Sequence, residues 1–158
     1  MRRILAIVLC LAMLCTLCAC SQEKEIRFYY ARKDVVYGEA DGVIASEVRD
    51  VTGHEQDLAY LLMLYLEGPH ADTLTAPYPR GTSLSHLEIQ DGTITVLLSS
   101  AFGHLQGLDH TIACACIAYT CFGVSDCDSV TIKSKMPGSG TMTLTRDSVI
   151  LADMAETN

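Results

Sequence analysis

Residues 87–96 read Leu-Glu-Ile-Gln-Asp-Gly-Thr-Ile-Thr-Val, two runs of alternating apolar and polar side chains joined by Asp91-Gly92. Asp-Gly between alternating runs is the strongest local signal for a two-residue β-hairpin turn. A turn of that length puts the aliphatic side chains on one face and the polar side chains on the other. The predicted cross-strand pairs are Ile89 with Ile94, Leu87 with Val96, Glu88 with Thr95 and Gln90 with Thr93. Turn and alternation agree, and they predict a sheet with one buried face and one polar face.

Further strands are predicted on either side of this hairpin. Residues 26–30 and 129–136 alternate apolar and polar side chains, and a shorter strand is predicted over 43–49. Near the end of the chain, the runs 142–145 and 149–151 predict a small closing hairpin.

Two helices complete the pattern. Thr52 and Glu55 stand at capping-box spacing before the first helix, which ends at Gly68-Pro69. Its apolar face is predicted to carry Leu58, Leu61, Leu62, Tyr65 and Leu66, widened by Ala59 and Met63. The second helix is predicted over 108–122, with Asp109 near its positive end and Gly123 as its stop. Its common apolar face is predicted to carry Leu108, Ile112, Ala115 and Tyr119.

The order of these elements predicts an α/β fold. We expect a two-layer sandwich, in which two helices pack on one face of a mixed or antiparallel sheet, plus a short C-terminal hairpin. The chain is predicted to divide into a signal peptide at 1–19, a short tether at 20–25, one domain at 26–136, and the hairpin and tail at 137–158.

The N-terminus has the layout of a secretory signal. Two arginines follow Met1, residues 4–17 are apolar or weakly polar, and Leu17-Cys18-Ala19-Cys20 closes the segment. This ending resembles a bacterial lipoprotein signal, which implies cleavage before Cys20 and lipid on its thiol. The alternative, an uncleaved anchor helix, falls short of the ~20 residues that a membrane span needs. We therefore expect a lipid-anchored protein on the extracytoplasmic face of the cell membrane.

Charge restricts the partners. The 158 residues include 11 basic and 19 acidic ones, a net charge of −8. Binding to nucleic acid or to anionic lipid is driven by positive surface, so this balance predicts no nucleic-acid partner. The only membrane contact that we expect is the lipid on Cys20.

Four of the eight cysteines lie beyond the leader and Cys20. Cys114, Cys116 and Cys121 fall on the second predicted helix, where no two of them can form a disulfide with each other. At most one disulfide is possible, and it would use Cys127. The other interpretation is that these residues are small apolar fillers of a buried helix. His110 with Cys114 lacks further ligands, so no metal site is predicted.

The sequence offers candidates for catalysis, each with a simpler structural explanation. Ser99 and Ser100 end a strand close to His104, where hydroxyls commonly cap turns. Cys121 lies on an apolar helix without an activating neighbour. Asp126 and Asp128 could serve acid/base chemistry or bind calcium, but acidic loop residues are usually just solvated. We predict no catalytic residue, no metal and no cofactor.

Several short motifs occur in a fixed order across 26–136. They are Leu66-Glu67-Gly68-Pro69, Pro79-Arg80-Gly81-Thr82, Asp91-Gly92, Leu98-Ser99-Ser100-Ala101-Phe102 and Phe122-Gly123-Val124. In this order the chain resembles the GerMN domain, found in sporulation and spore-germination lipoproteins of Gram-positive bacteria. The cysteine-rich second helix and the single copy of the domain depart from that pattern. The resemblance implies a membrane-tethered protein that acts in sporulation or germination.

The polar face of the sheet is the candidate binding surface. It is predicted to present Glu88, Gln90, Thr93, Thr95, Thr131, Lys133 and Lys135. A solvated sheet face is the simpler explanation, since antiparallel sheets commonly have one. The functional interpretation is a non-enzymatic binding or scaffold module whose partner is an envelope protein or peptidoglycan. The alternatives are a receptor for a small ligand, such as a peptidoglycan fragment, and a cell-wall hydrolase.

Overall fold

The computed structural model describes residues 25–35 and 42–148. The predicted signal peptide, Cys20 and the run 149–151 lie outside these residues. Within them, the strands form one sheet of three strands and one of four.

The three-stranded sheet is built around β1 (Glu25–Arg32), which lies between β2 (Ile44–Asp50) and β3 (Leu74–Thr75). Both pairings are antiparallel. Alternation predicted β1 correctly, because Phe28 and Tyr30 are fully buried on one face. β3 is too short to show any alternation in the sequence.

The four-stranded sheet contains β4 (Leu84–Gln90), β5 (Thr93–Leu98), β6 (Ser129–Ser134) and β7 (Met142–Thr145), in that order. β5 and β6 run parallel, and the other two pairings are antiparallel. This sheet is therefore mixed.

The predicted hairpin joins β4 to β5 in the expected register, which is confirmed at all four pairs. Asp91 and Gly92 have φ values of 50° and 74°. Positive φ at both central residues defines the type I′ turn, whose twist matches that of the strands. Ile94 and Val96 are buried, whereas Ile89 is 63% exposed because β4 is an edge strand.

β7 pairs with a strand that the sequence analysis did not assign to it. β7 pairs with β6, with Val130 opposite Leu144 and Thr131 opposite Thr143. Its proposed partner, 149–151, lies outside the described residues. Pairing with β6 uses one edge of β7, so a hairpin with 149–151 on the other edge stays a prediction.

The first helix, α1 (Leu58–Leu66), begins later than the capping box predicted. Asp57 is its N-cap, and its side chain accepts a hydrogen bond from the Tyr60 N–H at 3.0 Å. Thr52 instead donates to the Asp50 carboxylate at 2.6 Å, in a turn that precedes the helix. The buried face is correct at Leu58, Leu61, Leu62 and Tyr65. Met63 does not widen that face, because it is 53% exposed.

The second helix, α2 (Gly107–Val124), is longer than predicted and passes through Gly123. Its buried face was also wrongly assigned, since Leu108 is 56% exposed. The side chains that pack inward are mostly small: Ala113, Cys114, Cys116, Ile117, Ala118, Thr120 and Cys121. Ile117 is the large aliphatic residue among them, whereas Leu108 lies on the outer side of the helix. α2 is long and apolar enough to cross a membrane by length and composition, but its buried inner face makes it a core helix.

Both helices contact both sheets. α2 packs against β1 and also against β6 and β7, while α1 contacts β4 and stacks Tyr65 on Tyr30 of β1. Thr120 of α2 accepts a hydrogen bond from the Tyr29 N–H at 3.1 Å. One continuous core results, and the α/β class is confirmed, with the helices on the inner face of the four-stranded sheet and strands divided between two sheets.

Candidate functional site

The predicted binding surface lies on one face of the four-stranded sheet, which we call the outer face. Its residues come from β4, β5 and β6 and from the position just past β6: Glu88, Gln90, Thr93, Thr95, Thr131, Lys133 and Lys135. The charged residues and Gln90 are exposed, and the threonines on the inner strands are half-buried by their neighbours. On the opposite face, Ile94, Val96, Val130 and Ile132 are buried. The structure thus places all seven residues on the same side.

Hydroxyl groups run across the outer face. Thr93 Oγ1 lies 2.9 Å from Ser129 Oγ, and Thr131 Oγ1 lies 2.9 Å from Thr143 Oγ1. The sequence prediction left out Ser129, although it begins the predicted strand 129–136. It left out the threonines of β7 because it placed 142–145 in a separate hairpin. The alternation of Met142 and Leu144 with threonines was a visible signal, but the strand that β7 pairs with was not.

Charge is unevenly distributed along this face. Lys133 and Lys135 lie at the C-terminal end of β6, and His86 lies across β5 on the row of Lys133. At the other end, the Asp91 turn adjoins Asp128, whose N–H donates to the Gly92 carbonyl at 2.8 Å. The outer face therefore has a basic end and an acidic end, and between them lie hydroxyl groups and the Glu88 carboxylate.

The serine and histidine candidates are not brought together as a catalytic pair. Ser99 Oγ donates to the Gly81 carbonyl and accepts from the Ser83 N–H, both at 3.1 Å, so it fixes the entry to β4. Ser100 and His104 are exposed in the turn after β5. Within the described residues, no side-chain hydrogen bond joins Ser100 to His104.

The four cysteines of the domain are free and buried. Cys114 Sγ lies 3.7 Å from His110 Nε2, but burial raises the pKa of Cys114 to about 12. Burial also raises the pKa of Cys116 to about 12 and that of Cys121 further. Thiols with such pKa values stay protonated near neutral pH, and the thiolate is the nucleophile. The interpretation as apolar fillers fits these positions, and Cys127 accepts a hydrogen bond from Ser125 Oγ at 3.3 Å.

Metal-ligating side chains do not cluster in the part of the chain that the structure describes. There, no group of three or more His, Cys, Asp or Glu residues is placed to hold an ion. Asp126 and Asp128 are both exposed, on either side of buried Cys127.

A buried ion pair that the sequence analysis missed stabilises the end of α1. Arg49 of β2 is 7% exposed and pairs with Glu47. The Arg49 guanidinium also donates to two carbonyl oxygens, that of Leu64 in the last turn of α1 and that of Gly68 just past it. Glu47 in turn accepts from the N–H groups of His70 and Ala71.

Tyrosines complete this cluster. Tyr30 and Tyr78 both donate from their hydroxyls to the Tyr65 carbonyl, at 2.9 and 2.6 Å. The Arg49 guanidinium lies over the Phe28 ring, 5.2 Å from its centroid. The signal for this cluster in the sequence was the pair of charged residues Glu47 and Arg49, which stand at alternate positions of β2 and so share its inward face. The arrangement fixes the backbone of Leu66-Glu67-Gly68-Pro69, one of the motifs by which the sequence resembles the GerMN domain.

Two clefts adjoin residues 76–79. One, of about 340 Å³, is lined by residues of β1, of this segment and of α2. The other, of about 360 Å³, is lined by the Leu66-Glu67-Gly68-Pro69 and Pro79-Arg80-Gly81-Thr82 motifs. These two motifs are thus adjacent in the fold.

Comparison with known proteins gives a family and a fold. The family model Germane, described as sporulation and spore germination, matches residues 27–134. The first GerMN domain of the sporulation protein GerM from Bacillus subtilis is similar, with a TM-score of 0.54 and 17% identity over 78% of this chain and 98% of that chain. No curated protein matches the chain.

Two further structures are similar. The tandem GerMN domains of Bacillus subtilis GerM give a TM-score of 0.55 and 19% identity over 78% of this chain and 45% of that one, so the chain spans less than half of the tandem structure. A predicted lipoprotein from Clostridium perfringens gives 0.50 and 16%, over 78% of this chain and 88% of that chain. Identities this low show the fold alone. Because the family model covers more than half of its length, the chain belongs to the sporulation and spore germination family and carries its GerMN domain.

Proposed function

We propose that this protein is a lipid-tethered, non-enzymatic binding module on the extracytoplasmic face of the membrane, with a role in sporulation or spore germination. The outer face of the four-stranded sheet is its docking surface. The partner is an envelope protein or peptidoglycan.

The observation that carries this proposal is the outer face itself. Both helices pack on the inner face of the sheet, so seven polar side chains from three strands and the position just past β6 are left together on the other side. Cross-strand hydrogen bonds between hydroxyls hold the centre of the face in a fixed arrangement. A rigid, polar surface with a basic end suits a hydrated partner that carries carboxylates, because preorganised groups lose little entropy on binding.

Tethering is supported by the sequence and by the start of the domain. β1 begins at Glu25, five residues after Cys20. Even when fully extended, those residues reach only about 17 Å. A similar structure from Clostridium perfringens is that of a predicted lipoprotein. Lipid on Cys20 would therefore hold the domain close to the bilayer.

The test is complementation of a deletion strain in a spore-forming host. Reversing both Lys133 and Lys135 to Glu should reduce spore formation or germination, while protein abundance and thermal stability stay near wild type, because exposed charges contribute little to folding. The charge-matched control reverses Arg27 and Arg80, which are exposed and lie off the outer face. A double lysine variant with full function would exclude this surface.

The same strain tests the absence of catalysis. Ser99, Ser100, His104 and Cys121 are each replaced by Ala, and function should change only as far as the melting temperature and abundance change. An abundant, stably folded Ser100→Ala or His104→Ala protein without activity would overturn the non-enzymatic proposal.

A further inference from the structure

An apolar groove lies beside the N-terminal half of α2, and we call it the α2 groove. Its walls are Ala31 of β1, the segment 75–79, and Leu105, Asp109 and Ile112. It has a volume of about 340 Å³, enough to hold a large side chain. It lies away from the outer face, since Ala31 belongs to the other sheet.

The outer side of α2 continues this apolar surface. Leu108 and Ile112 are four residues apart and so share one side of the helix. Ile112 lines the groove, and Leu108 is 56% exposed. Further towards the C-terminal end of α2, on the same side, Tyr119 is half-buried and stacks on Tyr29 with ring centroids 5.1 Å apart. A contiguous exposed apolar surface on a water-soluble domain commonly marks an interaction site.

Asp109 gives the groove a charge. Its carboxylate is exposed at the groove wall, and the structure assigns it no hydrogen bond or ion pair within the described residues. The other groove residues named here are uncharged. An occupant that complements this site combines an apolar side chain with a neighbouring cation.

We propose that the α2 groove binds a basic segment of a partner protein, which inserts an apolar or aromatic side chain between residues 77–79 and Ile112 and places a Lys or Arg on Asp109. The net charge of −8 favours a basic partner over a second copy of this acidic chain. It also disfavours the anionic surface of a bilayer, which attracts basic segments. The protein would then have two docking surfaces, the α2 groove and the outer face.

The binding test uses the full chain in nanodiscs of phosphatidylcholine, with empty nanodiscs as background. The probes are two blocked tripeptides of equal size and opposite charge, Lys-Trp-Lys and Glu-Trp-Glu, observed by saturation-transfer NMR. Only Lys-Trp-Lys should bind to the groove. Asp109→Asn should weaken its binding about fivefold, the effect of losing an exposed ion pair worth up to ~1 kcal/mol.

Matched variants keep the result interpretable. Ile112→Ala removes part of the apolar wall and should also weaken binding, whereas Thr111→Ala on the same helix should not. Asp126→Asn, with the same charge change outside the groove, should leave binding unchanged. A thermal melt of each variant separates lost binding from lost folding.

Several results would overturn the proposal. Equal binding of the two tripeptides would show that charge does not select the occupant. Unchanged binding in both Asp109→Asn and Ile112→Ala would show that the tripeptide does not bind in the α2 groove. A dimer in analytical ultracentrifugation that Leu108→Lys dissociates would assign this surface to a second copy. Weaker broadening of the Leu108 methyl NMR signals by a soluble paramagnetic agent in nanodiscs containing phosphatidylglycerol would assign this surface to lipid.

Discussion

Arg49 shows how one residue can fix a motif. A buried guanidinium is costly unless each of its hydrogen bonds is made, and here it is paired with Glu47 and with carbonyl oxygens at the end of α1. Burial alone would raise the pKa of Glu47, but the N–H groups of Ala71 and His70 and the Arg49 charge outweigh it and lower the pKa. The pair thus stays ionised inside the fold.

We predict that Arg49→Met lowers the free energy of unfolding by about 3–5 kcal/mol, because Glu47 is left as an unpaired buried charge. Arg80→Met, at an exposed position, should change it by less than about 0.5 kcal/mol. Denaturant unfolding of both variants measures the difference. If the two losses are equal, the buried pair does not stabilise the end of α1.

The lowered pKa of Glu47 also predicts how the stability of the protein depends on pH. Since the pKa is lower in the folded protein than in the unfolded chain, the stabilisation is complete above the unfolded value and is lost as the pH falls through the folded one. Stability should therefore decrease below about pH 4.5, the ordinary pKa of the group. Glu47→Gln should flatten that part of the curve.

At the scale of elements, local patterns and packing decide different features. The β4–β5 register follows from a turn type and an alternation that the same ten residues encode. The orientation of α2 does not, because apolar residues occur around most of its circumference. Its inward side carries mostly small residues together with Ile117 and packs against two sheets, whereas Leu108 lies outside.

We predict that an introduced aspartate destabilises the protein far more on the inner face of β5 than on its outer face. Ile94→Asp should destabilise the protein by several kcal/mol, because Ile94 is fully buried and a carboxylate there would have no partner. Thr95→Asp, the next residue on the outer face, should cost far less. Equal losses in a denaturant melt would mean that the assignment of the faces is incorrect.

At the scale of the whole molecule, α2 joins the two sheets into one core. β3 pairs with β1 at Ala31 and Arg32. Two residues earlier on β1, the N–H of Tyr29 donates to Thr120 of α2. A helix thus covers part of a sheet edge, which protects it from pairing with other chains.

Attachment of the whole protein to the membrane is expected to depend on the thiol of Cys20. Cys20→Ala should abolish lipid attachment and impair removal of the leader, because the thiol that carries lipid is lost. Mass spectrometry of the membrane fraction measures both. Wild-type protein with an intact leader, or an unchanged mature mass in the variant, would contradict lipid attachment at this residue.

The sequence by itself determined the features encoded by neighbouring residues. They include the β4–β5 hairpin, the strands β1 and β6, the inward face of α1, and the motifs that resemble the GerMN domain. Each depends on a turn, an alternation or a helical period that is complete within one segment. The seven predicted residues of the outer face also lie together, because the direction of each side chain follows from its own strand.

Only the tertiary structure decided features that depend on contacts between distant segments. These are the pairing of β7 with β6, the division of the strands between two sheets, the inward side of α2 and the burial of Arg49 with Glu47. Nothing local marks them, since a free strand edge, a close helix–sheet approach and a paired buried charge exist only once the chain has folded. The α2 groove belongs to this group, because its walls come from β1, the segment 75–79 and α2.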